Sequence, residues 1–250
     1  MCCFSGKVES VKNTRIFARM GEHGNQVVIY SMSLDSKQDV AMVLPVPVAP
    51  GSGENAVKFF NLEKYHELFD DLENGFPKPR AEGKSFASDG PQSLSAPLRV
   101  VSVGAFDASY VPTIADFARL DARFSLPAQV WDKLPGYKQF GFAVFKLKAG
   151  NTTVHPMAFS FPSAMPGKIF FPTVHIHDGE VHREAEFDHT LYAQARDENK
   201  FVRNWEESPG LALQFTKVGK THGMIRPNQH VYRRQMVGNL KNEDVVLSAG

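Results

Sequence analysis

Phe171-Pro-Thr-Val-His-Ile-His-Asp-Gly-Glu-Val-His-Arg-Glu-Ala-Glu-Phe187 is the stretch whose reading decides the fold. Asp178-Gly179 stands between two alternating runs, and Gly accepts the positive φ that a tight type I′ hairpin turn demands. With those two residues as the loop, 177 faces 180, 175 faces 182, 173 faces 184 and 171 faces 186. Alternation then puts His175, His177, Glu180, His182, Glu184 and Glu186 on one face. Phe170, Val174, Ile176, Val181, Ala185 and Phe187 fall on the other, with Arg183 as a charged intruder. This arrangement predicts a half-buried hairpin whose wet face carries three histidines and three carboxylates. His175 and His182 would sit across from each other with Cβ atoms about 5 Å apart, close enough to share a metal ion. A solvated polar face that does nothing is the competing reading.

Working outward, short strands dominate. Thr14–Met20, a turn at Glu22–Asn25 and Gln26–Ser33 read as an antiparallel pair. Asp39–Pro47 is a nearly continuous apolar run whose two prolines mark the end of pairing or a sheet edge. The spacing of Leu62, Tyr65, Leu68, Phe69 and Leu72 predicts a helix over 61–73 with Asn61 as N-cap, stopping near Asn74-Gly75. Residues 76–97, rich in Pro, Gly, Ser and Lys, read as a mobile loop or linker, and their length makes them a functional-loop candidate. Pro97–Gly104 restarts a strand, 112–119 reads as a short helix, and 127–134 as a brief helical turn. In Tyr137–Leu147, Phe140, Phe142 and Val144 share one face and Phe145 and Leu147 the other, which predicts burial on both sides. Thr152–Phe161 alternates so that His155 joins Met157, Phe159 and Phe161 in a core. The second arm of the opening hairpin runs on through His189–Gln194, and Leu211–Phe215 and Val231–Gly238 are further strands. Short turns between neighbours predict an α+β fold, mainly antiparallel β-sheet with a few short helices, as one β-rich domain over 1–250.

Composition narrows the function classes. The chain has 250 residues, 42% of them hydrophobic, with 28 basic against 27 acidic residues and a net charge of +1. That balance gives no footprint for nucleic acid or a membrane surface. No apolar run approaches the roughly 18 residues of a membrane span. The start Met-Cys-Cys-Phe-Ser-Gly-Lys lacks the basic segment and apolar core of a secretory signal, which predicts a cytoplasmic protein. The two cysteines are neighbours, Cys2 and Cys3, and a reducing compartment would keep both as thiols.

Three segments resemble an uncharacterised bacterial family of domains of unknown function: the Cys-Cys-Phe start, the strand Thr14-Arg-Ile-Phe-Ala-Arg19 and the strand end Met42-Val-Leu-Pro-Val-Pro47. Members of that family have a Cys-rich start, an Arg-Ile-Leu-Phe-Ala-type strand and a Trp-Val-Leu-Pro-Val-Pro-type strand end. The similarity covers the first fifty residues or so, with a fainter echo in Phe170-Phe-Pro172. It implies the strands and no chemistry.

Three functional readings stay open. Thiolate and imidazole are the ligand set of copper and zinc, so Cys2, Cys3, His175, His177 and His182 predict a metal site, copper before zinc. Glu180 or Glu184 would serve as ligand or general base, Asp178 or Thr173 would steady the ligands, and an open position would permit oxidation or hydrolysis of a small molecule. The second reading exposes Cys2 as an N-terminal nucleophile whose own α-amino group is the base. That start resembles the N-terminal-nucleophile hydrolases, choloylglycine hydrolases and class II glutamine amidotransferases, which begin Met-Cys and continue into two strands. The resemblance implies an amide hydrolase with Arg19 near the catalytic arginine and Glu22 the nearest acid. The third reading is a non-catalytic β-rich binding protein with incidental histidines, its cysteines packing as small apolar residues. His222 or His230 could supply a fourth ligand, Arg226, Arg233 and Arg234 form an edge of positive charge, and Trp131 and Trp205 are packing residues.

Overall fold

β-Branched and aromatic residues in short runs, cut by Pro, Gly and Asn, build most of the chain into strands. The computed structural model describes residues 2–77, 101–104, 106–120, 135–176, 181–195 and 204–248. In chain order the strands begin with β1 (Cys2–Phe4), β2 (Ser10–Met20), β3 (Asn25–Ser36), β4 (Val40–Val46) and β5 (Lys58–Asn61). The helix α1 (Leu68–Asn74) follows, and then β6 (Val101–Val103), β7 (Phe106–Val111), β8 (Gly141–Leu147), β9 (Gly150–Thr153) and β10 (Met157–Pro162). The chain ends with β11 (Lys168–Phe171), β12 (His175–Ile176), β13 (Glu184–Gln194), β14 (Glu206–Glu207), β15 (Tyr232–Lys241) and β16 (Val245–Ser248). One sheet runs β12-β1-β4-β8-β7-β6; the larger runs β14-β15-β13-β2-β3-β10-β5, with β9 also on β3; β11 and β16 form a separate ribbon.

The two sheets face each other across a core drawn from alternate residues of each. Ile16, Val28 and Tyr30 come from the larger sheet and Met42, Leu44 and Phe145 from the smaller. Both sheets are covered on their outer faces as well. Phe117 and Tyr137 pack on Val43, Phe142 and Val144 of the smaller sheet. Leu68, Phe69 and Leu72 of α1 pack on Phe17, Ile29 and Tyr192 of the larger. Central strands are therefore buried on both sides, and β4 is buried at every position. β8 behaves as its alternation predicts, with Phe142 and Val144 on the outer side and Phe145 and Leu147 in the core between sheets. Pro45 is tolerated inside β4 because β1 pairs only with Met42 and Val43, leaving that edge beyond the ladder.

The α+β, mainly antiparallel expectation is corrected: the chain is mostly β and its sheets are mixed. β1 runs parallel to β12 and β2 runs parallel to β13. Turn signals report pairing between sequence neighbours, whereas both parallel contacts join segments far apart in the chain. The expected helices shrink for local reasons. Lys58–Asn61 is taken into the sheet by β10, and Asn61 Oδ1 accepts the Glu63 N–H at 2.8 Å, starting a 3-10 turn over Glu63–Tyr65. α1 begins at Leu68 and stops at Gly75 as predicted, whose N–H donates to the Leu72 and Glu73 carbonyls. Residues Ile114–Arg119 form a 3-10 helix, and Ala212–Gln214 a 3-10 turn in place of a strand. The β2–β3 hairpin forms in the expected place, while β16 emerges from a tail that reads as loosely patterned. The stretch 78–100 and the segment 127–134 with Trp131 lie outside the described residues.

The opening hairpin is corrected too. Asp178 and Gly179 lie outside the described residues, as do His177 and Glu180. Among the described residues its two arms do not pair with each other. β12 joins β1 at the edge of the smaller sheet, while β13 lies between β15 and β2 in the larger. Alternation marks both arms as strands, but an eleven-residue strand such as β13 gains more ladder from two long neighbours than from a two-residue partner.

Candidate functional site

His175 lies on the edge strand of the smaller sheet, against β13 inside the larger sheet. It is buried, and its Nε2 stands 3.2 Å from Nε2 of His189, itself 1% exposed. At that separation one ring donates an N–H and the other accepts with its lone pair, so each ring dictates its partner's tautomer. The Phe187 ring walls both, 4.5 Å from His175 and 5.1 Å from His189 between centroids. His189 is held by the sheet itself, in register with Thr14 of β2 and Met236 of β15.

The backbone under His175 is held by polar side chains. Asn242 Oδ1 accepts the His175 N–H at 2.7 Å, and Asn242 Nδ2 donates to the carbonyls of His175 at 2.9 Å and His182 at 3.1 Å. Asp244 Oδ1 accepts the N–H groups of Thr173 and Val174 at 2.8 and 3.0 Å, and its other oxygen accepts the Tyr137 hydroxyl. Burial, and then the Asp244 carboxylate, push the Tyr137 phenol well above its usual range. The Thr173 hydroxyl donates to the Glu243 carbonyl and accepts the Val245 N–H. Every polar group on this short bridge between β11 and β12 that points at residues 242–245 is matched, as buried backbone requires.

The amino terminus arrives at the same place. Cys2 is in register with His175 and Cys3 with Ile176, so the cysteine pair and the histidine stretch do meet. Cys3 turns into the apolar cluster with Ile176 and Val43 and is fully buried, as a small hydrophobe. His182 is solvent-exposed. Next to it an open pocket of about 570 Å³ is lined by Val181, His182, Arg183, Glu184, Lys241 and Asn242.

The copper or zinc expectation is corrected by this geometry. No group of three His, Cys, Asp or Glu able to hold a metal ion occurs among the described residues. His175 turns inward to pair with His189 while His182 is exposed to water, so those two histidines do not share a face; His177 lies outside the described residues. His222 Nε2 contacts the Asn61 carbonyl and His230 Nδ1 the Ser208 carbonyl, each in the larger sheet's outer layer.

Arg19, implied by the hydrolase resemblance, has a structural task. It is 6% exposed and donates to the carbonyls of Met224, Gly223 and Met20 at 2.5, 2.7 and 3.0 Å, tying β2 to the 221–225 segment. It stands roughly 17 Å along β2 from Thr14, the neighbour of His189, at about 3.4 Å per residue. Arg233 is likewise committed, to Glu73 and Glu206 and over the Phe76 ring. Trp205 packs on Phe171, as a core role predicts.

The residue that reasoning from sequence missed is His189. A signal existed: Phe187, His189, Leu191 and Ala193 alternate on one face of β13, and a histidine flanked at i−2 and i+2 by apolar residues points inward.

No family model and no curated protein matches the chain, in keeping with a resemblance confined to an uncharacterised family. Solved structures do match. The crystal structure of baculovirus P35 aligns over 99% of this chain and 99% of its own, with TM-score 0.50 and 13% identity. A mutated baculovirus P35 after caspase cleavage aligns over 96% of this chain and 100% of its own, with TM-score 0.51 and 12% identity. From end to end, this chain has a fold similar to that of baculovirus P35.

Proposed function

We propose that this chain is a non-catalytic β-rich binding protein whose partner is a protease of the caspase type. The observation that carries the reading is the end-to-end likeness to baculovirus P35, including a mutated form after caspase cleavage. The chemistry of the described residues agrees with a binding role. The buried histidines pair through their Nε2 atoms, Arg19 is held by three carbonyls, and no metal-holding group occurs among the described residues. The Pro-, Gly- and Ser-rich stretch 76–97 contains a single aspartate, Asp89, followed by Gly90. An aspartate-directed protease would cut there, because long connections of this composition are where proteases gain access.

The test is incubation of the purified chain with a panel of caspases, followed by gel electrophoresis and size-exclusion chromatography. A cut between Asp89 and Gly90, together with a complex that co-elutes, is the expected result. Asp89→Ala should abolish both. Absence of cutting and of a complex with every caspase tried would overturn the reading.

A further inference from the structure

A second histidine cluster joins the two sheets at their other edges. His155 lies in the break between β9 and β10. Its neighbour Val154 is bolted to β3, donating to the Met32 carbonyl at 3.0 Å and accepting the Ser31 hydroxyl at 3.1 Å. The imidazole crosses to the smaller sheet, stacking on Phe106 at the start of β7 with centroids 4.5 Å apart and planes at 28°. The turn between β6 and β7 lies on the ring's edge: a Cβ at Gly104 would stand 2.7 Å from His155 Nε2 and 2.9 Å from Glu63 Cβ. His66, just after the Glu63–Tyr65 turn, meets the ring edge-on at 5.6 Å. Among the described residues, the titratable groups facing His155 are Glu63 and His66; β6 and β7 offer it Val103, Gly104 and Phe106, all uncharged.

We propose that His155 is a pH-sensitive latch between the two sheets: its neutral ring holds the β6–β7 turn against the Glu63–Tyr65 turn, and a proton on the ring releases that contact. The ring is 4% exposed, so a charge there would lose its hydration with little room for water to return. His66 adds repulsion once charged, while the Pro156 carbonyl at 3.3 Å, the Glu63 carboxylate and a backbone hydrogen bond with Val103 oppose it. Burial is the largest of these causes and holds the imidazole below its usual value. The folded form therefore favours the neutral ring. The latch is complete above a pH of about 6.5, the unfolded value, and weakens as pH falls below it. This inference does not depend on the protease reading.

Amide hydrogen exchange between pH 7.5 and 5.0, corrected for intrinsic rates, tests it. Protection of Phe106–Val111 and Val154 should fall up to about tenfold per pH unit once pH is below the unfolded value, while that of Leu191–Ala193 in β13 holds. His155→Phe keeps a ring to stack on Phe106 and should abolish the pH response. An equal response in both proteins, or none in the wild type, overturns the latch. If the variant fails to fold, the wild-type ring is followed directly by NMR. A His155 midpoint below 6.5 that coincides with the amide shifts of Phe106–Val111 supports the latch, and a midpoint at or above 6.5, or one that does not coincide, overturns it.

Discussion

The molecule buries imidazole at two places and satisfies it by different means. At one edge of the smaller sheet His175 meets His189, nitrogen to nitrogen at 3.2 Å, with Phe187 as a common wall. At the other, His155 meets a phenyl face, a glycine backbone and the carbonyl of its own neighbour. The first is a pair joined through its Nε2 atoms, so removing either ring leaves a polar partner inside the protein. The second is a wedge, in which shape counts for more than hydrogen bonding. Their surroundings follow suit. The pair is fixed from outside by Asn242 and Asp244, which grip backbone, whereas the wedge is fixed by close approach at Gly104.

Four substitutions probe that contrast, and urea unfolding measures each. Phe187→Ala should cost the most, about 3–5 kcal/mol, since the ring is 1% exposed and walls both histidines. A loss under about 1 kcal/mol would mean that the pair needs no wall. Gly104→Ala should follow at about 2–3 kcal/mol, because a methyl group there meets His155 and Glu63 and the backbone has φ +67. Its cost should shrink in a His155→Ala background, and full additivity would separate the glycine from the wedge. Asn242→Ala removes three hydrogen bonds under His175 and should cost about 1–3 kcal/mol. An unchanged midpoint would show that the bridge is held by Asp244 without it. Gly238→Ala should be the mildest, at about 1–2 kcal/mol: Gly238 pairs with Phe187 and has φ +91, but nothing lies within 4 Å of the added carbon. Parity with Gly104→Ala would show that backbone strain, not crowding, governs the second site.

Much of the fold is legible where the controlling contacts are local. The β2–β3 hairpin follows from its Gly21–Asn25 turn, in which the Asn25 N–H donates to the Glu22 carbonyl and the Gly21 N–H to the Asn25 carbonyl. The two-sided burial of β8 follows from its apolar run, and the burial of His155 from its place in an alternating series. The candidate site was legible in part. Cys2 and His175 come into register, an approach that the sequence left open. The rest depended on partners that no window of sequence contains. Asn242 and Asp244 sit near the end of the chain, and the backbone N–H groups of 173–175 that they accept lie 67 to 71 residues upstream. Lys58–Asn61 reads as the approach to a helix until β10 supplies a strand to pair with.

By itself, the sequence determined most of the long strands and which side of each is apolar. Those properties depend on the two-residue period of the chain and on the preferences of single side chains. It determined that an aromatic, β-rich core would form, and that the histidines at 155 and 189 stand among apolar neighbours. Only the tertiary structure decided the partners. It separated the two arms of the Asp178-Gly179 stretch into different sheets, and it turned a supposed His175–His182 pair into the buried His175–His189 contact. The physical reason is that a strand edge carries generic N–H and C=O groups that any other edge can satisfy. Which edge wins is settled by the whole set of buried faces at once.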